Sequence, residues 1–327
     1  MLRGVRLELV HVQVREADVP RERSVSEGNG MTHHDQSVEP GIPAHVIDPE
    51  SAAEMARLLN KSRLQTRHMG GLLPEQPDAT VFRDVLDIGC GPGGWVVDMA
   101  FTYPEMQVVG VDISDVCISY ARTMAGEQEL TNTSFHVMDA LRPLAFPDAS
   151  FDLVNVKFIA EFMPKSAWPG FIQECWRLLR PGGVVRITDY EMGFSNAPAH
   201  EHLCGLYLRA LFDADRIFSA DGRHLGIINM LEPFLSRLGF KPTAHRVYAV
   251  NYSYGAEMHE EWTQDLMLKV RLTLSFLARM GIAELSELER MANHMEEEMG
   301  TANFSAIWIY LTAFGVKPLP EPVAGDA

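Results

Sequence analysis

One stretch of this chain limits its fold more than any other: Val-Leu-Asp-Ile-Gly-Cys-Gly-Pro-Gly-Gly-Trp, residues 85–95. A short apolar run meets a turn carrying Gly89, Gly91, Gly93 and Gly94, and a helix-like segment follows at once. Glycine supplies the unusual backbone angles that so abrupt a strand-to-helix turn requires. Downstream, strand-like segments at 107–111, 133–138, 152–156 and 184–188 alternate with helix-like segments at 94–102, 115–125 and 167–179. Such alternation predicts an α/β fold, a doubly wound and mostly parallel sheet covered on both faces. With 327 residues, 46% of them hydrophobic, the chain can bury a sizeable core.

Gly89, Gly91 and Gly94 satisfy G-x-G-x-x-G, and Asp112 closes the next strand at about the ~20-residue distance where a carboxylate binds a ribose hydroxyl. Alone, this describes a dinucleotide site and an NAD-dependent oxidoreductase. Three residues argue otherwise. Asp87 would set a negative charge against a pyrophosphate. Pro92 removes a backbone donor from the turn that should cradle phosphate oxygens. Asp139, after the third strand, suits an exocyclic amine. Adenine, ribose and an amino-acid tail without phosphate describe S-adenosylmethionine.

Four motifs in order, DIGCGPGG, GVDIS, VMDALRPLAFPDASFDLV and LLRPGGVVRITD, resemble the class I methyltransferases, above all the ubiquinone/menaquinone-biosynthesis type and its small-molecule relatives. The resemblance covers roughly residues 50–190 and implies a Rossmann-like seven-stranded sheet with an antiparallel last strand, S-adenosylmethionine as cofactor, and a small-molecule acceptor. Carried over by position, Asp87 and Gly89 would hold the methionine ammonium. Gly91 and Gly93 would let the backbone approach the cofactor, with Cys90 and Pro92 in the same turn. Asp112 would grip the ribose and Ile113 the adenine face, while Asp139 and Ala140 would meet the adenine amine. Val156, Lys157 and Phe158 would line the methionine arm, where Lys157 departs from the Ser, Asn or His often found. Arg63, near the end of the first helix, is a candidate for the methionine carboxylate. Against these roles, Gly89 and Gly91 would serve a tight turn in any such fold, and Asp139 is also a common turn cap.

Methyl transfer requires alignment and, for some acceptors, a base. Glu161, Asp189, Glu191, His200, His202 and His224 are the candidates, with His224 favoured because it sits where a lid would rejoin a helix. Phe158, Phe162, Trp168, Tyr190, Phe194, Tyr207, Phe212, Phe218 and Trp262 would build an enclosure for an apolar or aromatic acceptor. His200, His202 and Cys204 lack a second ligand pair, so no metal is expected.

Residues 1–45 balance Arg against Glu and Asp and read as a flexible extension; Met31 could itself serve as a start. The methyltransferase domain is expected over 46–318, with a lid insertion at 190–225, a helical insertion at 256–300 between the last two strands, and a tail at 319–327. The insertion carries a Trp262, Leu266, Val270, Phe276 and Leu277 stripe, expected to close the acceptor site or to form a homodimer contact. A balance of 44 carboxylates to 28 Lys plus Arg disfavours nucleic acid. The longest apolar run, 307–314, is far short of the ~20 residues that cross a bilayer. Four widely spaced cysteines read as reduced thiols of a cytoplasmic protein. A third reading keeps the cofactor but not the reaction, using the fold for interaction.

Overall fold

In the computed structural model, strands β1 (Asp84–Ile88), β2 (Gln107–Asp112), β3 (Thr133–Val137), β4 (Phe151–Lys157), β5 (Leu179–Ser195), β6 (Thr243–Asn251) and β7 (Ala306–Val316) form one sheet ordered β3-β2-β1-β4-β5-β7-β6. The structure describes residues 52–320. The expected extension at 1–45, the residues preceding the first helix, and positions 321–327 of the tail lie outside the described residues. β1 through β5 pair in parallel, and β7 runs antiparallel to both β5 and β6, as the sequence motifs implied.

The central strands are apolar on both faces. Leu86, Ile88, Val154 and Val156 on one face and Val85 and Leu153 on the other are fully buried, as expected where helices cover both sides of a parallel sheet. From β1 the chain steps outward through β2 to β3, then returns across β1 to β4. That reversal opens a crevice beyond the carboxyl ends of β1 and β4, the place where such sheets hold ligands.

Helices α1 (Ala52–Met69), α2 (Gly94–Thr102), α3 (Asp115–Glu127), α4 (Trp168–Leu178), α5 (Pro198–Asp213), α6 (Ile228–Leu238), α7 (His259–Arg279) and α8 (Leu285–Met299) complete the described fold. Local chemistry sets several ends. Ser114 Oγ accepts from Cys117 N at 3.2 Å and starts α3, and Gly239, at φ +109°, closes α6.

Two expectations need correction. The lid expected at 190–225 does not begin at 190, because β5 continues to Ser195 and pairs Glu191 with Ile309 and Phe194 with Ile307. A register shift between Glu191 and Phe194 breaks the side-chain alternation there, which is why the sequence shows no strand period. The insertion is α7 and α8, and its stripe packs into the chain's own core. Its Trp262, Leu266, Phe276 and Leu277, with Leu288, Ala292, Met295 and Met299 of α8, are buried in the same core as the central strands. Trp262 stands 6.1 Å, centroid to centroid, from Trp308 of β7. The stripe weighed as a homodimer contact is therefore covered within the chain.

Candidate functional site

Beyond the carboxyl ends of β1, β2 and β4 lies a cavity of about 320 Å³. Its floor is the glycine turn. Gly89 N and Cys90 N both donate to Val111 O, at 2.8 and 3.0 Å, tying the turn to β2. Gly91 N donates to Asp112 Oδ2 and Ser114 N to Asp112 Oδ1, each at 2.9 Å, so the carboxylate is fixed with lone pairs to spare. A Cβ on Gly91 would find nothing closer than Leu58 at 3.9 Å, so that backbone is open to a ligand.

Asp87 is 1% exposed, and its Oδ1 accepts from Asn155 Nδ2 at 2.7 Å. Its Oδ2 has no partner among the described residues. Burial pushes this carboxyl up to about 6, against the pull of nearby Lys157. Lys157 Nζ sits 3.3 Å from Ser62 Oγ and 5.7 Å from the Trp95 ring centroid; burial lowers it to about 8 although Asp87 favours its charge. In both groups desolvation outweighs mutual attraction, and both face a cavity that an amino-acid zwitterion would neutralise.

The cavity brings together most of the residues singled out in the sequence: Asp87, Gly89, Cys90, Gly91 and Pro92 from the turn, Asp112 and Ile113 from the end of β2, Asp139 and Ala140 after β3, and Lys157 and Phe158 at the end of β4. Asp139 Oδ1 also accepts from Leu141 N at 2.9 Å, so it caps its own turn while lining the cavity. Burial pushes the Cys90 thiol well up, which leaves it inert. Phe158 holds a left-handed backbone, φ +57°, a strained state for a bulky residue and one that clusters at functional sites.

Of the cofactor candidates and the favoured base, four are not among the lining residues. A Cβ on Gly93 would fall 2.6 Å from Ala121 Cβ, so this glycine serves the packing of α2 on α3 rather than cofactor approach. Val156 is buried in the core. Arg63 is exposed, because α1 turns Glu54, Arg57, Leu58, Lys61, Ser62 and Gln65 to the cavity and position 63 away from it. His224 is exposed in the loop before α6. That loop is anchored by Glu191, which accepts from Leu225 N at 2.7 Å and Gly226 N at 2.9 Å, and the preceding histidine faces out. His200 is buried, with Nδ1 3.0 Å from Ser195 Oγ and Nε2 3.1 Å from the Tyr252 hydroxyl; burial lowers it to about 4.

Of the expected aromatic enclosure, Phe158, Phe162 and Tyr190 line the cavity. Trp168 stacks on Phe234 in the core, Phe218 packs edge-on against Trp168, and Phe194 and Phe212 are exposed. Two ionic networks went unseen in the sequence. In the first, Arg57 Nη1 meets Asp265 Oδ1 at 3.1 Å while its Nε meets Glu54 at 2.7 Å, and Lys61 Nζ meets Asp265 Oδ2 at 2.7 Å. Lys61 also lies 3.6 Å over the Trp262 ring. In the second, Lys269 Nζ lies 2.7 Å from Glu161 Oε1 and 2.8 Å from the Tyr190 hydroxyl. A signal was available: Trp262, Asp265, Leu266 and Lys269 follow i, i+3, i+4, i+7, so two charges share the buried stripe of α7.

Residues 85–183 match the family model described as a methyltransferase domain. Over 229 residues the chain is 31% identical to the trans-aconitate 2-methyltransferase of Deinococcus radiodurans, covering 67% of this chain and 78% of that protein. Over 108 residues it is 34% identical to the demethylmenaquinone methyltransferase of the same organism, covering 33% of this chain and 43% of that protein, under half its length. Among solved structures, phosphoethanolamine N-methyltransferase 2 of Haemonchus contortus with S-adenosyl-L-methionine superposes with a TM-score of 0.48 at 20% identity, over 77% of this chain and 52% of that one. With the sheet order and the glycine turn already in view, the match along most of the trans-aconitate enzyme shows that this chain belongs to the class I S-adenosylmethionine-dependent methyltransferases.

Proposed function

We propose that this chain transfers the methyl group of S-adenosylmethionine to a small molecule with an apolar or aromatic body and a polar reacting group. One observation carries the cofactor half of this reading: the buried, unpartnered Asp87 Oδ2 beside the glycine turn. An anion there attracts the α-ammonium of an amino-acid tail and repels the pyrophosphate of a nicotinamide cofactor. Lys157 takes the tail's carboxylate, the role first sought at Arg63. Asp112 accepts from the ribose hydroxyls, Ile113 covers the adenine face, and Asp139 with Ala140 meets the adenine amine. The bound sulfonium supplies an activated methyl carbon. What the chain adds is alignment and exclusion of water by Phe158, Phe162, Met163 and Leu266, all of which line the cavity.

The acceptor half rests on the other end of the same cavity, where those apolar walls meet Glu161, Tyr190, Lys61 and Lys269. Isothermal calorimetry tests the cofactor half directly. S-adenosylhomocysteine should bind, NAD should not, and Lys157→Met should weaken binding by about 1.5–3 kcal/mol, the scale of a hydrogen bond to a charged group. Tight NAD binding without S-adenosylhomocysteine binding would overturn the proposal.

A further inference from the structure

Glu161 uses its two carboxylate oxygens unequally. Oε1 takes three donors: the Tyr207 hydroxyl at 2.6 Å, Lys269 Nζ at 2.7 Å, and the Tyr190 hydroxyl. Oε2 has no partner among the described residues, yet it is not one of the sealed, orphaned polar atoms. Its side chain is 9% exposed, and the residue lines the cavity. Burial alone would raise this carboxyl, but Lys269 and the two tyrosine hydroxyls outweigh burial and hold it below the ordinary glutamate range. An ionised carboxylate so deeply buried, with one oxygen left open, demands a donor from whatever fills the cavity.

We infer that Glu161 is a catalytic residue: Oε2 accepts the hydrogen of the acceptor's reacting O–H or N–H group and receives that proton as the heteroatom takes the methyl. The inference rests on the methyl-transfer reading above and narrows the acceptor to molecules that react through a heteroatom bearing hydrogen. A lone pair on the heteroatom forms the new bond to carbon, and the carbon–sulfur pair leaves with sulfur, neutralising the sulfonium. The pair of the breaking O–H or N–H bond stays on the heteroatom, and the proton goes to Oε2. A strongly ionised carboxylate is a weak base, so proton transfer follows the growth of positive charge on the heteroatom, which Glu161 stabilises meanwhile. Tyr190 and Lys269 are positioning residues that fix Oε1 and leave Oε2 to the substrate.

The other titratable groups nearby are committed elsewhere. Asp265 receives both Arg57 and Lys61. Asp189 spends its oxygens on Tyr190 N and Ala160 N and is not among the lining residues.

Phenol and anisole share the aromatic ring and its oxygen, and only phenol donates a hydrogen bond. With S-adenosylhomocysteine bound, calorimetry should show wild-type protein favouring phenol by about tenfold, and Glu161→Gln reducing that preference below about threefold, in proportion to one charged hydrogen bond. Equal affinities in wild type overturn the inference. In transfer of radiolabelled methyl to phenol or aniline, Glu161→Gln should lower kcat by about 10²-fold or more with KM nearly unchanged, and should abolish the acid limb of the pH profile. Glu161→Asp should restore part of the rate, and S-adenosylhomocysteine affinity should be unaltered in both variants, which reports that they fold. A Glu161→Gln rate within about threefold of wild type, or N,N-dimethylaniline methylated in preference to aniline, overturns it. Failure of wild type to bind S-adenosylhomocysteine would instead overturn the methyl-transfer reading itself.

Discussion

Lys61 of α1 and Asp265 of α7 meet at 2.7 Å, and Arg57, one turn earlier on α1, reaches the other oxygen of the same carboxylate. Both helices line the cavity, α1 beside the glycine turn and α7 beside Glu161 and Tyr190. The bridge therefore joins the two halves of the site, and it does so between residues nearly buried from solvent.

Asp265→Asn should be costly. Arg57 keeps Glu54, but Lys61 loses its only carboxylate among the described contacts. Leaving a buried charge unpaired costs about 3–5 kcal/mol. Urea unfolding at neutral pH should show it. Burial already lowers Lys61 to about 8 from 10.5, so the unfolded chain binds more protons between those values and this group adds stability as pH rises through them. Without Asp265 the Lys61 value falls further, so the variant's stability should begin to climb below pH 8. A variant as stable as wild type would show the bridge to be incidental.

The two central glycines should separate on substitution. Gly93→Ala drives a Cβ into Ala121 at 2.6 Å and forces alanine to φ +83°, so it should cost about 1–3 kcal/mol of stability. Gly91→Ala, at φ +53° with open space ahead of it, should cost about 1 kcal/mol from the left-handed backbone while weakening S-adenosylhomocysteine more than Gly93→Ala does. Thermal melts and calorimetry on both variants check the contrast. Equal losses of affinity would return Gly93 to the cofactor.

The sheet and the cavity floor at the glycine turn were legible because both are written locally. Each of β1 to β4 lies with its following turn within a dozen residues, and Asp87, Asp112 and Asp139 stand at or just beyond the carboxyl ends of strands, where a doubly wound sheet places its ligand site. The acceptor end was not legible because its parts are remote in sequence. Glu161 and Lys269 are 108 residues apart, and Arg57 and Asp265 are 208 apart. No period or motif couples such positions; only the packing of α7 against α1 and β7 does. His224 stands beside the lid, whereas Glu191 fixes that loop from the inside and leaves the imidazole in solvent. Lys157, read as a departure from pattern, proves to share a buried corner with Asp87.

Lys269→Met should remove a donor from Glu161 while leaving both tyrosine hydroxyls. The loss should be about 1.5–3 kcal/mol, less than for a pair left wholly unmatched. The Glu161 carboxyl lies below its ordinary 4.5 when folded, so it contributes stability above that pH, and the contribution is lost as pH falls through the folded value. Taking away the ammonium raises the folded value, so the variant has less of this carboxylate stability to lose as the pH falls. Denaturant titrations at about pH 7 and about pH 4 should therefore show the gap between wild type and variant narrowing in acid. A gap independent of pH would mean that Lys269 acts through packing alone.

Cofactor affinity should depend on pH through Asp87. In the free protein burial holds this carboxyl at about 6, well above 3.8, so it is largely protonated in mild acid. An α-ammonium binds the ionised form, and an amino group with a pKa of about 7.7–8.0 stays charged throughout this range. Binding must then expel a proton below pH 6, and affinity must rise as pH rises through that value and level off above it. Between pH about 5 and about 7.5 the gain in S-adenosylhomocysteine affinity should be roughly tenfold, since about a tenth of the carboxyl is ionised at the lower value. Calorimetry in two buffers of different ionisation enthalpy should register the released proton at the acid end. Asp87→Asn cannot ionise, so its affinity should be lower and flat across the same range, with no proton released. A wild-type profile as flat as that of the variant would mean that the ammonium is held by other groups and that Asp87 only braces the turn.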